Sequence, residues 1–192
     1  QQIQNILSQK TIGIAGAGGL GSNAAVALAR SGIGQLIIVD FDTVEESNLN
    51  RQYYFLDQIG MKKVEALENI INQINPRVSV TIKHLKLKPG NIHSIFASSD
   101  IIIEALDDAA TKKMLIEEIT DQLPHIPLIA ASGVAGYGNS DRINTKHLDN
   151  LHVVYDEQAE SSEHDVLLAP KVCLIANWQA NIALELLLGD ML

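Results

Sequence analysis

Hydrophobic residues along this chain fall into two alternating patterns. Short, nearly unbroken runs, Thr11-Ile12-Gly13-Ile14-Ala15, Leu36-Ile37-Ile38-Val39, Ile101-Ile102-Ile103-Glu104-Ala105 and Leu128-Ile129-Ala130-Ala131, have the length and composition of buried strands. Val78-Ser79-Val80-Thr81-Ile82 alternates, as a half-buried strand does. Between the runs, apolar positions move to helical spacing. Ser22 to Ser31 is a helix of small residues that can sit close to a sheet, and Lys62 to Asn75 carries Val64, Leu67, Ile71 and Ile74 on one face before Pro76 ends it. Ile92, Ile95 and Phe96 mark a short helical piece after Pro89-Gly90, and Leu115, Ile116, Ile119 and Leu123 mark another helix face. Strand alternating with helix predicts a parallel sheet covered on both sides.

The pattern changes after Ala131. Asp141 to Lys146 and His152-Val153-Val154-Tyr155 read as antiparallel strands added to the sheet, and 156–169 reads as a mobile crossover loop rich in carboxylates. Pro170 to Leu188 is a helix apolar nearly all round, so it is buried either in the core or under a second subunit. Residues 3 to 9 read as a short helix. The expected fold is α/β: a Rossmann-like, doubly wound, mostly parallel sheet with antiparallel strands at its C-terminal side and helices on both faces. At 192 residues the chain suits one domain over 1–192, too short for a nucleotide domain plus a full catalytic domain.

The first strand runs into Gly16-Ala17-Gly18-Gly19-Leu20-Gly21, and the second ends in Asp40, 19 positions past Gly21. Gly16 permits the sharp turn, Gly18 lets backbone N–H groups approach a phosphate, and Gly21 permits close helix packing; an acid at this distance suits a ribose. Asn48 and Arg51 then follow in a loop-like segment, and Lys63 opens a helix. A guanidinium carries phosphate charge bidentately, so the combination suggests a nucleoside triphosphate site. A lysine at a helix start opposes the helix dipole and calls for a nearby anion, although solvation alone would also serve. Asp42 reads either as a cap of the following loop or as a ligand contact, with capping the commoner use of such an acid. Asp107 lies at the carboxyl end of an apolar run, where such sheets place ligands; it reads as a magnesium ligand or, with Asp108, as the cap of a helix starting at Ala109.

Composition narrows these readings. A net charge of −9 argues against general nucleic-acid binding. No apolar run approaches the roughly 18 residues of a membrane span, and Gln1-Gln2-Ile3-Gln4 lacks signal-peptide character, so a cytoplasmic setting is expected. Cys173 is the only cysteine, which leaves no four-thiolate zinc site; inside the final helix it reads as a buried small hydrophobe. The six histidines show no metal-ligand spacing.

The glycine turn, Val39-Asp40-Phe41-Asp42, Ser47-Asn48-Leu49-Asn50-Arg51-Gln52, Gly60 to Lys63, and Asp107 together resemble the ThiF/MoeB family, in order and over nearly the whole chain. These are adenylyltransferases of ubiquitin-like sulfur carrier proteins, related to ubiquitin-activating enzymes. Ala130 to Gly138 is most similar to the short ThiF branch of thiamine biosynthesis. The resemblance implies that Asp40 holds the ribose of ATP, that Gly18 and Gly19 approach phosphates, and that Asn48, Arg51 and Lys63 hold the polyphosphate while Asp107 organises Mg2+. It implies a ThiS-like carrier whose Gly-Gly tail lies beside Gly133 to Gly138, an acyl-adenylate and pyrophosphate as products, and a homodimer. Three features are not carried over. One cysteine cannot supply the paired Cys-x-x-Cys zinc motifs of many relatives, so no structural zinc is expected; 156–169 holds no cysteine for a covalent carrier intermediate; and no arginine precedes Arg30 to reach a neighbouring subunit's site.

Two other classes compete. A noncatalytic carrier-binding scaffold would need neither Arg51, Lys63 nor Asp107, and a nicotinamide oxidoreductase would use the glycine turn and Asp40 but leave Asn48 to Gln52 idle.

Overall fold

The computed structural model describes residues 1–138, 140–156 and 166–189. Seven strands form one sheet: β1 (Thr11–Ala15), β2 (Gln35–Asp40), β3 (Ser79–His84), β4 (Ile101–Glu104), β5 (Leu128–Ser132), β6 (Ile143–Leu148) and β7 (Leu151–Asp156), in the spatial order β3-β2-β1-β4-β5-β7-β6. Every pairing is parallel except β6 with β7. The antiparallel character expected at the C-terminal side is therefore confined to that hairpin, because β7 inserts parallel to β5 and leaves β6 at the edge.

Among the described residues six α-helices cover the sheet: α1 (Gln2–Leu7), α2 (Gly19–Ser31), α3 (Lys63–Ile74), α4 (Ile92–Phe96), α5 (Ala109–Gln122) and α6 (Ala169–Leu188). Successive strand residues face opposite sides. Ile12, Ile14, Leu36, Ile38, Ile101 and Ile103 accordingly pack with α2, α3 and α6, while Ile37, Val39, Ile102 and Leu128 pack with α4 and α5. Burial on both faces is why these strands read as continuous apolar runs. The residues of α2 are small because the helix is pressed between the sheet and α6; Ala24, Ala25, Leu28 and Ala29 are 0% exposed.

From β1 the chain winds outward to β2 and β3, and from β4 it winds the other way to β5. The carboxyl ends of β1 and β4 thus flank the switch point, where open α/β sheets leave a crevice. The glycine turn follows β1 and Asp107 follows β4.

Candidate active site

The floor of the crevice is the glycine turn. Gly16 has φ 99°, and a Cβ there would lie 2.5 Å from the Ala105 carbonyl oxygen at the end of β4. A Cβ on Gly21 would run into the Gly16 carbonyl oxygen, so this glycine closes the turn on itself. Gly18, the N-cap of α2, receives no side-chain cap. The helix therefore opens with N–H groups that no side chain satisfies, an arrangement suited to an anion.

Asp40 ties this turn to β2. Its Oδ2 accepts from the Ala17 N–H at 2.6 Å and its Oδ1 from the Asp42 N–H at 2.7 Å. A carboxylate has about four acceptor positions, so both oxygens keep capacity for ribose hydroxyls. Asp42 does not cap the loop: its Oδ2 pairs with Lys63 Nζ at 2.8 Å. The anion that a lysine at the start of α3 calls for is therefore this carboxylate, and the ammonium is buried, with the lysine 6% exposed. Tyr54 lies beneath both, its hydroxyl donating to Ala17 O at 2.7 Å, with Lys63 O at 3.3 Å as a second acceptor. Burial, reinforced by Asp40 and Asp42, pushes its phenol well above the ordinary range, so it stays a neutral donor.

The Asn48–Gln52 segment lies over the turn. The Arg51 stem passes Gly19, with Cγ and Cδ 3.7 and 3.9 Å from where a Gly19 Cβ would stand. Its guanidinium donates through Nη1 to Ser47 O at 3.0 Å and Asn50 Oδ1 at 2.8 Å. Asn48 is buried and shapes the segment: its Oδ1 accepts from the Glu45 N–H at 3.0 Å in a reciprocal cap, leaving Nδ2 without a partner among the described residues. Gln52 is 8% exposed, and its Oε1 has no hydrogen-bond partner among the described residues. Its Nε2 lies 3.8 Å from the position of a Gly18 Cβ, so an amide with an orphaned oxygen sits at the turn.

The far wall begins at β4. Asp107 is exposed and makes no hydrogen bond or ion pair with a described residue, while Asp108 caps α5 by accepting from the Thr111 N–H at 2.7 Å. The Thr111 hydroxyl and N–H hold the Asp108 carboxyl below its ordinary range. The two acids thus divide between cap and free carboxylate. Behind them Glu104, 0% exposed, accepts from the Leu106 N–H at 2.7 Å and faces Lys112 Nζ at 2.9 Å. The same ammonium donates to Ala131 O at 2.6 Å. Burial outweighs Lys112 and raises the Glu104 carboxyl. Gln179 of α6 closes the group by donating to Glu104 O and Ile129 O at 3.0 and 3.2 Å.

Gly133 to Gly138 leave β5 and are pinned by Lys171, whose Nζ donates to Ala135 O and pairs with Asp156, both at 2.7 Å. The Gly136 N–H donates to Val166 O at 3.1 Å, and Asn50 Nδ2 to Leu167 O at 3.1 Å. Most of the predicted crossover loop, 157–165, lies outside the described residues. Cys173 departs from the expectation of full burial: it is partly exposed, its thiol donates to Asn23 Oδ1 at 3.3 Å, and burial raises its pKa.

Gln52, Tyr54, Glu104, Lys112, Lys171 and the α2 side chains Ser22 and Asn23 were not predicted from sequence. Gln52 stood within the motif itself, and its position beside Arg51 was the available signal. The others are polar residues in helices, strands or loops whose partners are distant in the chain. Among the described residues, no three His, Cys, Asp or Glu side chains gather to cage a metal. Magnesium needs no such cage, since one or two carboxylates complete its shell with substrate phosphate and water. Asp107, unpaired and two residues past Ala105, fits that donor set. No helix among the described residues is long and apolar enough to cross a membrane.

A switch-point glycine turn with an acid ending β2 and the Arg51 segment above it defines a Rossmann-like α/β domain whose uncapped helix start, at the sheet's carboxyl end, is suited to an anion. The chain belongs to the ThiF family, whose model matches residues 1–191. Among curated relatives, the Kluyveromyces lactis adenylyltransferase and sulfurtransferase UBA4 is 33% identical over 95% of this chain and 42% of its own. The Yarrowia lipolytica protein of the same name is 38% identical over 69% of this chain and 33% of its own, so the chain spans well under half of these two relatives. The molybdopterin-synthase adenylyltransferase of Salmonella typhimurium is 29% identical, over 96% of this chain and 75% of that protein. Among solved structures, E. coli tRNA N6-threonylcarbamoyladenosine dehydratase in complex with ATP superposes with a TM-score of 0.90 over 99% of this chain and 90% of that one, at 23% identity. That likeness establishes the fold.

Proposed function

We propose that this chain is an ATP-dependent adenylyltransferase that activates the C-terminal Gly-Gly carboxylate of a ubiquitin-like sulfur carrier protein. The observation that carries the proposal is the convergence on one uncapped helix start of the Arg51 stem over Gly19 and the Gln52 amide nitrogen, a donor, at Gly18. A dinucleotide site would need the turn and Asp40 but not the basic segment laid across it. The adenylyltransferase names of the relatives point the same way.

Asp40 receives the ribose hydroxyls. The N–H groups at Gly18 and Gly19 meet phosphate oxygens, with Asn48 Nδ2, Arg51 and Lys63 along the polyphosphate. Lys63 exchanges Asp42 for phosphate, one anionic partner for another, so Asp42 keeps the lysine aimed at the nucleotide. A carrier carboxylate oxygen attacks the α-phosphorus; the bond to the bridging α,β-oxygen breaks, yielding acyl-adenylate and pyrophosphate. No protein nucleophile is needed, because positioning and cationic stabilisation do the work. Asp107 would hold Mg2+, which would supply neutralisation of phosphate charge.

Labelled pyrophosphate should exchange into ATP only when Mg2+ and a carrier ending in Gly-Gly are both present. No exchange with any such carrier overturns the proposal. The similarity of Ala130 to Gly138 to the short ThiF branch favours a ThiS-like carrier and a role in thiamine thiazole formation in the cytoplasm, so a ThiS-like carrier should support faster exchange than a MoaD-like one. The outer side of α6, with Leu174 and Leu186 at 37% and 38% exposure, suits a homodimer contact; a monomeric mass at micromolar concentration would exclude it.

A further inference from the structure

Two side chains in the first turns of α2 grip the backbone on either side of Gln52. Ser22 Oγ accepts from the Tyr53 N–H at 2.9 Å and donates to Gly18 O at 2.6 Å. Asn23 Nδ2 donates to Arg51 O at 2.9 Å and to Gly19 O at 2.7 Å. Both N–H groups of that amide are thus spent, one on the glycine turn and one on the basic segment. The Cys173 thiol occupies the amide oxygen from the α6 side, at 3.3 Å, so the Asn23 rotamer is fixed at both ends. Ser22 and Asn23 are 0% and 9% exposed. Within the segment, among the described residues, the Arg51 and Gln52 N–H groups bond only to Asn48 O, a local turn that does not set its distance from α2.

We propose that Asn23 is a positioning residue for Arg51, bridging two carbonyls so that the guanidinium starts from a fixed distance above the phosphate turn. The inference rests on the triphosphate reading above. Alanine at this position leaves Gly19 O with its helical partner but strips Arg51 O, and the segment is then tied to this turn of α2 through Ser22 alone. Small displacements of a positioning group are costly because the stem lies directly against Gly19. A clip that served packing alone would lower stability without favouring one ligand over another.

The test is calorimetric binding of ATP and of adenosine to the full chain as wild type, Asn23→Ala, Arg51→Ala and the double variant, with thermal unfolding followed in parallel. Asn23→Ala should weaken ATP binding by roughly five- to tenfold, the worth of one or two hydrogen bonds. Adenosine binding, which depends on Asp40, should be unchanged. In the Arg51→Ala background, Asn23→Ala should have no further effect on ATP, because it acts through the missing side chain. Unchanged ATP affinity in Asn23→Ala, equal losses for ATP and adenosine, or additive losses in the double variant would each overturn the assignment. Asn23→Ser, polar but too short to reach Arg51 O, makes the same comparison if the alanine variant does not fold. Failure of wild type to bind ATP at all is a separate outcome, seen without any variant, and it removes the triphosphate reading together with this inference.

Discussion

Arg51 and Lys63 bring positive charge to the same crevice but are held differently, and their variants should differ accordingly. Arg51 is partly exposed and bonded to local oxygens, so Arg51→Ala strands no buried charge. It should lower pyrophosphate exchange by about 10²–10³-fold, the usual cost of a lost transition-state donor, with little change in melting temperature. Lys63 is buried against Asp42. Lys63→Met should lower exchange and also cost about 1.5 kcal/mol in urea unfolding, the low end for a charged hydrogen bond, since the 43% exposed Asp42 side chain regains water. At this scale the glycine turn and Asp40 were legible because spacing alone implies them. Asn23 was not: its Arg51 partner is 28 positions away, and one asparagine among alanines looks the same whether it clips a loop or faces solvent.

At the scale of elements, the apolar runs predicted strands well because each is buried on both faces. The same burial hid polar chemistry within them. Glu104 ends a run of isoleucines and reads as part of a strand, yet it is the centre of a buried group joining β4, β5 and α6. Lys112→Met removes its cation, and the loss should reach about 3 kcal/mol at neutral pH, as for other buried pairs left with one partner. The loss should shrink toward acidic pH, because the Glu104 carboxyl is already raised and protonation removes the stranded charge. Urea titrations of both proteins at pH 7.5 and 5 check this. Lys171 was hidden likewise, as one cation in a helix of apolar residues, although its pairing with Asp156 fixes where β7 ends beside the start of α6.

Across the whole molecule, periodicity predicted layers but not strand order. Nothing in an alternating pattern distinguishes β7 beside β5 from β6 beside β5, because order is decided by packing over the sheet. The resulting hairpin brings His147 and His152 opposite each other, their rings steeply inclined at 76° and their Nδ1 atoms 2.6 Å apart. One ring must donate and the other accept, so the pair requires a neutral imidazole. Burial, then His147, lowers the His152 pKa below its ordinary 6.5, against a smaller opposing pull from Glu185. The unfolded chain therefore binds this proton more readily, and stability should rise with pH up to about 6.5 and fall as pH drops below it toward the folded value. His152→Asn should flatten that slope between pH 7 and 5.5 in denaturant titrations.

Val172 of α6 stands 2.9 Å from where a methyl group on Gly19 would be. The last helix therefore gauges the mouth of the turn from outside. Moving it inward narrows the opening, and moving it outward slackens it. If the turn holds phosphate as proposed, whatever leans on the outer side of that helix bears, through Val172, on the room left beside Gly19.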